Sequence, residues 1–88
     1  MISRTVTLAN RRGLHARASA KFVNLASSQP CAVTVSKDGQ DVVGTSIMGL
    51  MMLGAAMGDS IVIRADGAGA DEAVAALAQL VEDKFGED

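Results

Sequence analysis

The sequence predicts a two-layer α+β fold in which helices cover one face of an antiparallel sheet and the other face meets water. Three observations carry that expectation. The apolar residues change their period along the chain in the order strand, helix, strand, strand, helix, strand, helix, or βαββαβα. An Asp-Gly pair at positions 38 and 39 separates two short alternating runs, which is the mark of a two-residue hairpin. The 88 residues, 49% apolar with only two aromatics, suffice for one aliphatic core and hence for one domain spanning 1–88.

Each element follows from its local pattern. Ile2 to Leu8 alternates, with Ile2, Arg4, Val6 and Leu8 on one side, and reads as a half-buried strand ended by "NRRG". Ala16 to about Ser27 reads as a helix whose stripe is Ala16, Ala20, Val23 and Ser27, widened by Phe22, Leu25 and Ala26. "SSQP" stops it, because proline and its predecessor resist helix. Ala32 to Lys37 and Gln40 to Val43 are the two arms of the hairpin, with Val33 and Val35 inward. "SIMGLMML" is a short helix opening at Ser46, with Ile47, Leu50 and Met51 inward and Met48 and Met52 facing out. Ser60 to Ala65 is the fourth strand. The last helix runs from about Ala70 to Phe85 on a Val74, Leu77 and Val81 stripe. Asp71 and Glu72 suit its positive end, Lys84 its negative end and Gly86 its stop. Cys31 is expected to be a small core residue and the "GED" tail a solvated end.

Composition narrows the function. A net charge of −2 argues against a general nucleic-acid binder, and two phenylalanines offer no platform for stacking bases. One cysteine makes no internal disulfide and fits a reducing compartment. The first ten residues lack the apolar run of a signal peptide, and no segment approaches the ~20 apolar residues of a membrane span. A cytoplasmic, monomeric protein without membrane insertion is therefore expected. One histidine and one cysteine are too few for a structural zinc site unless carboxylates join them, so no metal and no cofactor are expected.

The single histidine, His15, stands in "RGLHARAS" at the mouth of the first helix, with Arg17 in the first turn. The first N–H groups of a helix, those of Ala16 and Arg17 among them, have no internal partner and attract anions together with the helix dipole. The same positive end disfavours an imidazolium, which favours a neutral ring with a free lone pair. A neutral imidazole beside an anion site is a poised nucleophile for phosphorus, and a guanidinium at Arg17 suits phosphate oxygens. Arg11 and Arg12 raise the local positive potential. From spacing alone a lone histidine near a helix start is more often a surface or capping residue, and Ser19, one turn on, allows a serine hydrolase on paper. Ser46 before an apolar run is a natural N-cap. Met48 and Met52 form an adaptable apolar patch suited to docking unlike partners in turn.

"GLHAR" (13–17) and "SIMGLMML" (46–53) together resemble the histidine-containing phosphocarrier (HPr) family of the bacterial phosphoenolpyruvate-dependent phosphotransferase system. The resemblance covers essentially the whole chain. It implies an open-faced β-sandwich with a four-stranded antiparallel sheet under three helices. It implies that the chain is a carrier and not an enzyme. His15 would accept a phosphoryl group on Nδ1 from Enzyme I and pass it to an EIIA-type acceptor, with Arg17 steadying the phosphate. By the same resemblance, Ser46 matches a serine that an ATP-dependent kinase phosphorylates in some bacteria, with a phosphorylase as the opposing partner. The docking surface would comprise Ile47, Met48, Met51, Met52 and Ala20. The chain departs from the family at Ala18, where proline is usual. Alanine restores one N–H near the anion site and leaves open the branch, sugar transport or regulation. Two rivals remain at this stage: a regulatory module acting through Ser46 with His15 idle, and a ferredoxin-like domain for a small ligand.

Overall fold

A computed structural model describes residues 1–87; Asp88 lies outside the described residues. The elements follow in the expected order: β1 (Ile2–Thr7), α1 (Ala16–Ser27), β2 (Ala32–Lys37), β3 (Gln40–Val43), α2 (Ile47–Met52), β4 (Ser60–Asp66) and α3 (Ala70–Glu82). A 3₁₀ turn over Lys84–Gly86 follows α3. The strands form one antiparallel sheet in the order β1-β4-β2-β3, so β4, the last strand in the chain, lies between β1 and β2. Val6, Val33, Val35, Ile61, Ile63 and Ala65 face the helices and are buried. Each large aliphatic side chain buried this way stabilises the fold by about 1.5–3 kcal/mol relative to exposure. Ser3, Thr5, Thr7 and Ser60, on the opposite face, are exposed, as an open antiparallel sheet allows. Ser36, Asp41 and Arg64 form a polar network on that open face, with Arg64 2.9 Å from Asp41.

The hairpin is built as the Asp-Gly pair requires. Lys37 pairs with Gln40, and the two residues between them have φ of 51° (Asp38) and 82° (Gly39), the left-handed pair of a type I′ turn.

Two helix faces and one helix end differ from the sequence reading. In α1 the buried stripe is Ala18, Ser19, Phe22 and Ala26, whereas Ala16 and Ser27 are exposed and Ala20, Val23 and Leu25 are half-buried. Alanine is at home on either side of a helix, so the largest side chain decides: Phe22 is fully buried, with Ala18 and Ala26 one turn on either side of it. In α2 only Leu50 is buried; Ile47 and Met51, expected inward, are each 41% exposed. Six residues cannot hide three apolar side chains against a sheet edge. Gly49 takes the inner position against β3, where a Cβ would lie 3.2 Å from Val42 Cβ.

α3 stops at Glu82, short of the expected Phe85. Lys84, Phe85 and Gly86 turn through left-handed conformations (φ 58°, 55° and 75°), which returns the fully buried Phe85 to the core. Burying a phenyl ring outweighs about 1–2 kcal/mol of left-handed strain at each of two non-glycine residues only because the ring contributes several kcal/mol. Cys31 is half-buried at the rim of the core. Among the described residues no helix is long and apolar enough to cross a membrane.

Candidate functional site

The chain before α1 holds His15 in place. Gly13 has φ +61°, and a Cβ there would lie 2.3 Å from Ala55 O and 2.7 Å from Ala56 Cα. Only glycine allows this approach. The approach lets the Leu14 N–H donate to Ala55 O (3.0 Å) while the Leu14 side chain enters the core. Asn10, fully buried, closes the "NRRG" loop: its Nδ2 donates to Gly13 O at 2.8 Å, and the Gly13 N–H donates to Asn10 O at 3.2 Å. On the helix side the Ser19 N–H donates to His15 O (2.8 Å) and Ser19 Oγ to Leu14 O (3.2 Å). Ser19 is fully buried and its hydroxyl is committed to that carbonyl, which removes it as a nucleophile beside His15.

His15 is therefore the N-cap of α1, in extended conformation (φ −74°, ψ 179°). Its Nδ1 accepts a hydrogen bond from the Arg17 N–H at 3.2 Å. Its Nε2 lies 2.6 Å from Glu87 Oε2, a residue 72 positions away. A neutral imidazole has one donor and one acceptor nitrogen. With Nδ1 accepting, the ring proton sits on Nε2 and is donated to the Glu87 carboxylate. Glu87 Oε1 accepts from Asn10 Nδ2 at 3.2 Å, and Lys21 Nζ donates to Phe85 O at 2.7 Å. Of the "GED" tail that reads as a solvated end, Glu87 is thus tied to Asn10 and His15, and Asp88 lies outside the described residues. Burial pushes the Glu87 carboxyl up, but its hydrogen bonds from Asn10 and His15, with the charge of Lys21, hold it below the usual carboxylate value.

Both His15 and Glu87 side chains are only 19% exposed, so the ring is shielded on its Nε2 edge. Arg11, Arg12, Ala16 and Arg17 are exposed around it. A shallow depression away from the ring is lined by Met1, Thr34, Arg64 and Asp66, at the far end of the sheet's open face. The arrangement is an imidazole lone pair at the N-terminus of a helix, with the N–H groups of Ala16, Arg17 and Ala18 in the first turn. It can bind an anion, and it can attack an electrophile at Nδ1.

Ser46 is the N-cap of α2, its Oγ accepting from the Gly49 N–H at 3.0 Å. The helix it caps exposes Ile47, Met48 (69%), Met51 and Met52 (67%). α2 packs against α1, on which Ala20 is half-buried. Among the described residues no three His, Cys, Asp or Glu side chains cluster in a way that could hold a metal.

Sequence reasoning did not find Asn10, Lys21 and Glu87. An Asn closing a loop after a strand is a weak signal. Nothing in the spacing links residues 10, 15 and 87, since the link depends on the left-handed turn at Lys84–Gly86.

Comparison with known proteins adds what geometry alone lacks. The family described as "PTS HPr component phosphorylation site" matches residues 2–83. "Phosphocarrier protein HPr" of Cupriavidus necator is 44% identical over 87 residues, covering 99% of this chain and 98% of that protein. The protein of the same name from Neisseria meningitidis serogroup A is 47% identical with the same coverage. The crystal structure of HPr-C-His from Thermoanaerobacter tengcongensis superimposes with a TM-score of 0.95 at 42% identity, over 100% of this chain and 99% of that one. Matched over nearly its full length in sequence and in fold, the chain belongs to the HPr family, the phosphocarriers of the phosphotransferase system, which carry a phosphoryl group and are not enzymes.

Proposed function

We propose that His15 accepts the phosphoryl group on Nδ1 from phospho-Enzyme I and passes it to an EIIA-type protein. The observation that supports this most is the direction of the Nδ1 lone pair: it points at the Arg17 N–H, at the N-terminus of α1. In the transfer, the Nδ1 lone pair attacks phosphorus, the bond from phosphorus to the donor breaks, and its electron pair stays on the donor. The Arg17 N–H, which loses its acceptor when Nδ1 bonds phosphorus, turns to a phosphoryl oxygen. The Ala16 and Ala18 N–H groups and the exposed Arg17 guanidinium supply further charge stabilisation. A shallow site favours onward transfer, since binding the intermediate too tightly slows the next step. The acceptor and donor dock on Ile47, Met48, Met51, Met52 and Ala20, in the cytoplasm and with the carrier as a monomer.

Phosphorus NMR of the protein with Enzyme I and phosphoenolpyruvate tests the reading. An acid-labile phosphoramidate resonance is expected in the wild type and absent in His15→Ala. Arg17→Ala should still accept the group, but about 10²-fold more slowly, as when one preorganised donor to a developing anion is lost. A signal that persists in His15→Ala would place the phosphoryl group elsewhere.

Ser46 supports a second, regulatory reading. Ser46 is half-buried at a helix start, where a phosphate gains from the dipole, and the helix it caps exposes apolar side chains. Phosphorylation by a serine kinase would place close to two negative charges in the docking surface, and a phosphorylase would remove them.

A further inference from the structure

The Nε2 edge of His15 has no part in the transfer step, yet it is the more tightly held edge of the ring. We infer that Glu87 is a positioning residue: its carboxylate fixes the proton of His15 on Nε2 and so keeps Nδ1 unprotonated, with a lone pair that can turn from the Arg17 N–H to phosphorus. The inference rests on the reading of His15 as the phosphoryl acceptor.

Three observations carry it. Glu87 Oε2 is 2.6 Å from Nε2, the shorter of the two hydrogen bonds to the ring. The carboxylate is itself oriented, because Asn10 Nδ2 donates to Glu87 Oε1 and also to Gly13 O, so the Asn10 amide cannot rotate without losing both bonds. The tail that delivers Glu87 is anchored by buried Phe85 and by Lys21 Nζ on Phe85 O. Carboxylate, imidazole and reacting atom thus stand in line, as in sites where an acidic partner sets the tautomer of a histidine. When Nδ1 bonds phosphorus, the ring keeps its Nε2 proton and gains a positive charge, which faces the Glu87 carboxylate. No proton need move in the transfer itself.

The fixed amide of Asn10 makes the test sharp. In Glu87→Gln the new side chain must present its oxygen to Asn10 Nδ2, and therefore its NH₂ to His15 Nε2. Nε2 becomes an acceptor, and the proton is pushed toward Nδ1, onto the attacking nitrogen. Glu87→Ala removes the partner without imposing the wrong tautomer.

The experiment is ¹⁵N NMR of the His15 ring in the full-length wild type, Glu87→Gln and Glu87→Ala, paired with phosphorylation kinetics using Enzyme I and phosphoenolpyruvate. The wild type should show Nε2–H with a slowly exchanging ring proton. Glu87→Ala should lose that slow exchange, and Glu87→Gln should gain a population of Nδ1–H. The maximal phosphorylation rate should fall more in Glu87→Gln than in Glu87→Ala, by about tenfold or more for Gln as for other wrong-tautomer variants, with KM for Enzyme I little changed. A purely structural tail predicts the reverse order, since glutamine preserves the Asn10 contact and alanine does not. That reverse order, or identical ring spectra in all three proteins while each is phosphorylated at His15, overturns the role of Glu87 and leaves the carrier intact. Failure of an active cognate Enzyme I to phosphorylate the wild type at His15 overturns the carrier reading, and the inference about Glu87 falls with it.

Discussion

At the scale of the residue, Gly13 shows how much one missing Cβ positions. The Leu14 N–H reaches Ala55 O only because the Gly13 backbone lies against residues 55 and 56. Gly13→Ala faces a left-handed φ and a collision with backbone that cannot rotate aside, and should lose at least about 2 kcal/mol. Urea unfolding checks this, and an unchanged midpoint would mean that the 55–56 loop yields freely. The placement of His15 and Arg17 at the start of α1 was legible, because a glycine break followed by a helix-forming run marks a helix start in five residues. Glu87 was not, because its place is set by a turn of three residues in left-handed conformations, two of them non-glycine, which no propensity favours. Ser19 is the opposite case. Its proximity to His15 in sequence suggested chemistry, and its burial against Leu14 O made it a strut.

At the scale of the element, the order and type of the three α-helices and four strands followed from period and punctuation, and the Asp-Gly pair marked the hairpin of β2 with β3. What the pattern misjudged was the orientation of helices with weak contrast. α1 carries alanine on several sides, and α2 is too short to have a stripe. Its first turn depends on Ser46. Ser46→Ala should cost about 1 kcal/mol, a drop in Tm of roughly 4–8 °C for a domain of this size. Ser46→Asp should retain the cap and the Tm while weakening the affinity for Enzyme I, because the added charge sits among Ile47, Met48 and Met51. Calorimetry together with titration against Enzyme I separates the two effects, and equal Enzyme I affinity in Ser46→Asp and wild type would sink the charge argument. The end of α3 makes the complementary point. Helix propensity carries the pattern on to Phe85, but continuing the helix would leave the ring outside the core. Phe85→Ala should cost about 3–5 kcal/mol. It should also free the tail, so the slowly exchanging His15 ring proton should vanish under conditions where the protein is still folded. A ring proton that persists in a folded Phe85→Ala would show that the tail holds Glu87 without its anchor.

At the scale of the whole molecule, the two faces of the sheet divide the labour. The inner face carries the aliphatic core beneath the three helices, and the N-termini of α1 and α2 carry His15 and Ser46. The outer face carries threonine, serine, Val43, Val62 and the Ser36–Asp41–Arg64 network, and that network is where the pH dependence of the fold can be read apart from the site. The Ser36 hydroxyl and the Arg64 guanidinium beside Asp41 hold its carboxyl below the ordinary value, against a smaller upward push from burial. A carboxyl whose value is lower in the folded than in the unfolded chain stabilises the fold at neutral pH. That contribution is lost as pH falls through the unfolded and then the folded value. Glu87 acts with the same sign. Lys37, raised first by its hydrogen bond to Asp38, acts at the other end: its contribution holds below the unfolded lysine value and is lost as alkaline pH passes the folded one. The fold should therefore weaken in acid between about pH 5 and pH 2, with Asp41 and Glu87 as two of the groups responsible. In Asp41→Asn the neutral side chain titrates nothing. The variant should start less stable at pH 7 and lose less on acidification, so that the two Tm curves converge toward low pH. Thermal melts across that range decide the matter. Curves that stay parallel would show that the Ser36–Asp41–Arg64 network contributes no linked proton, and that acid acts on the molecule through its other carboxylates, Glu87 among them.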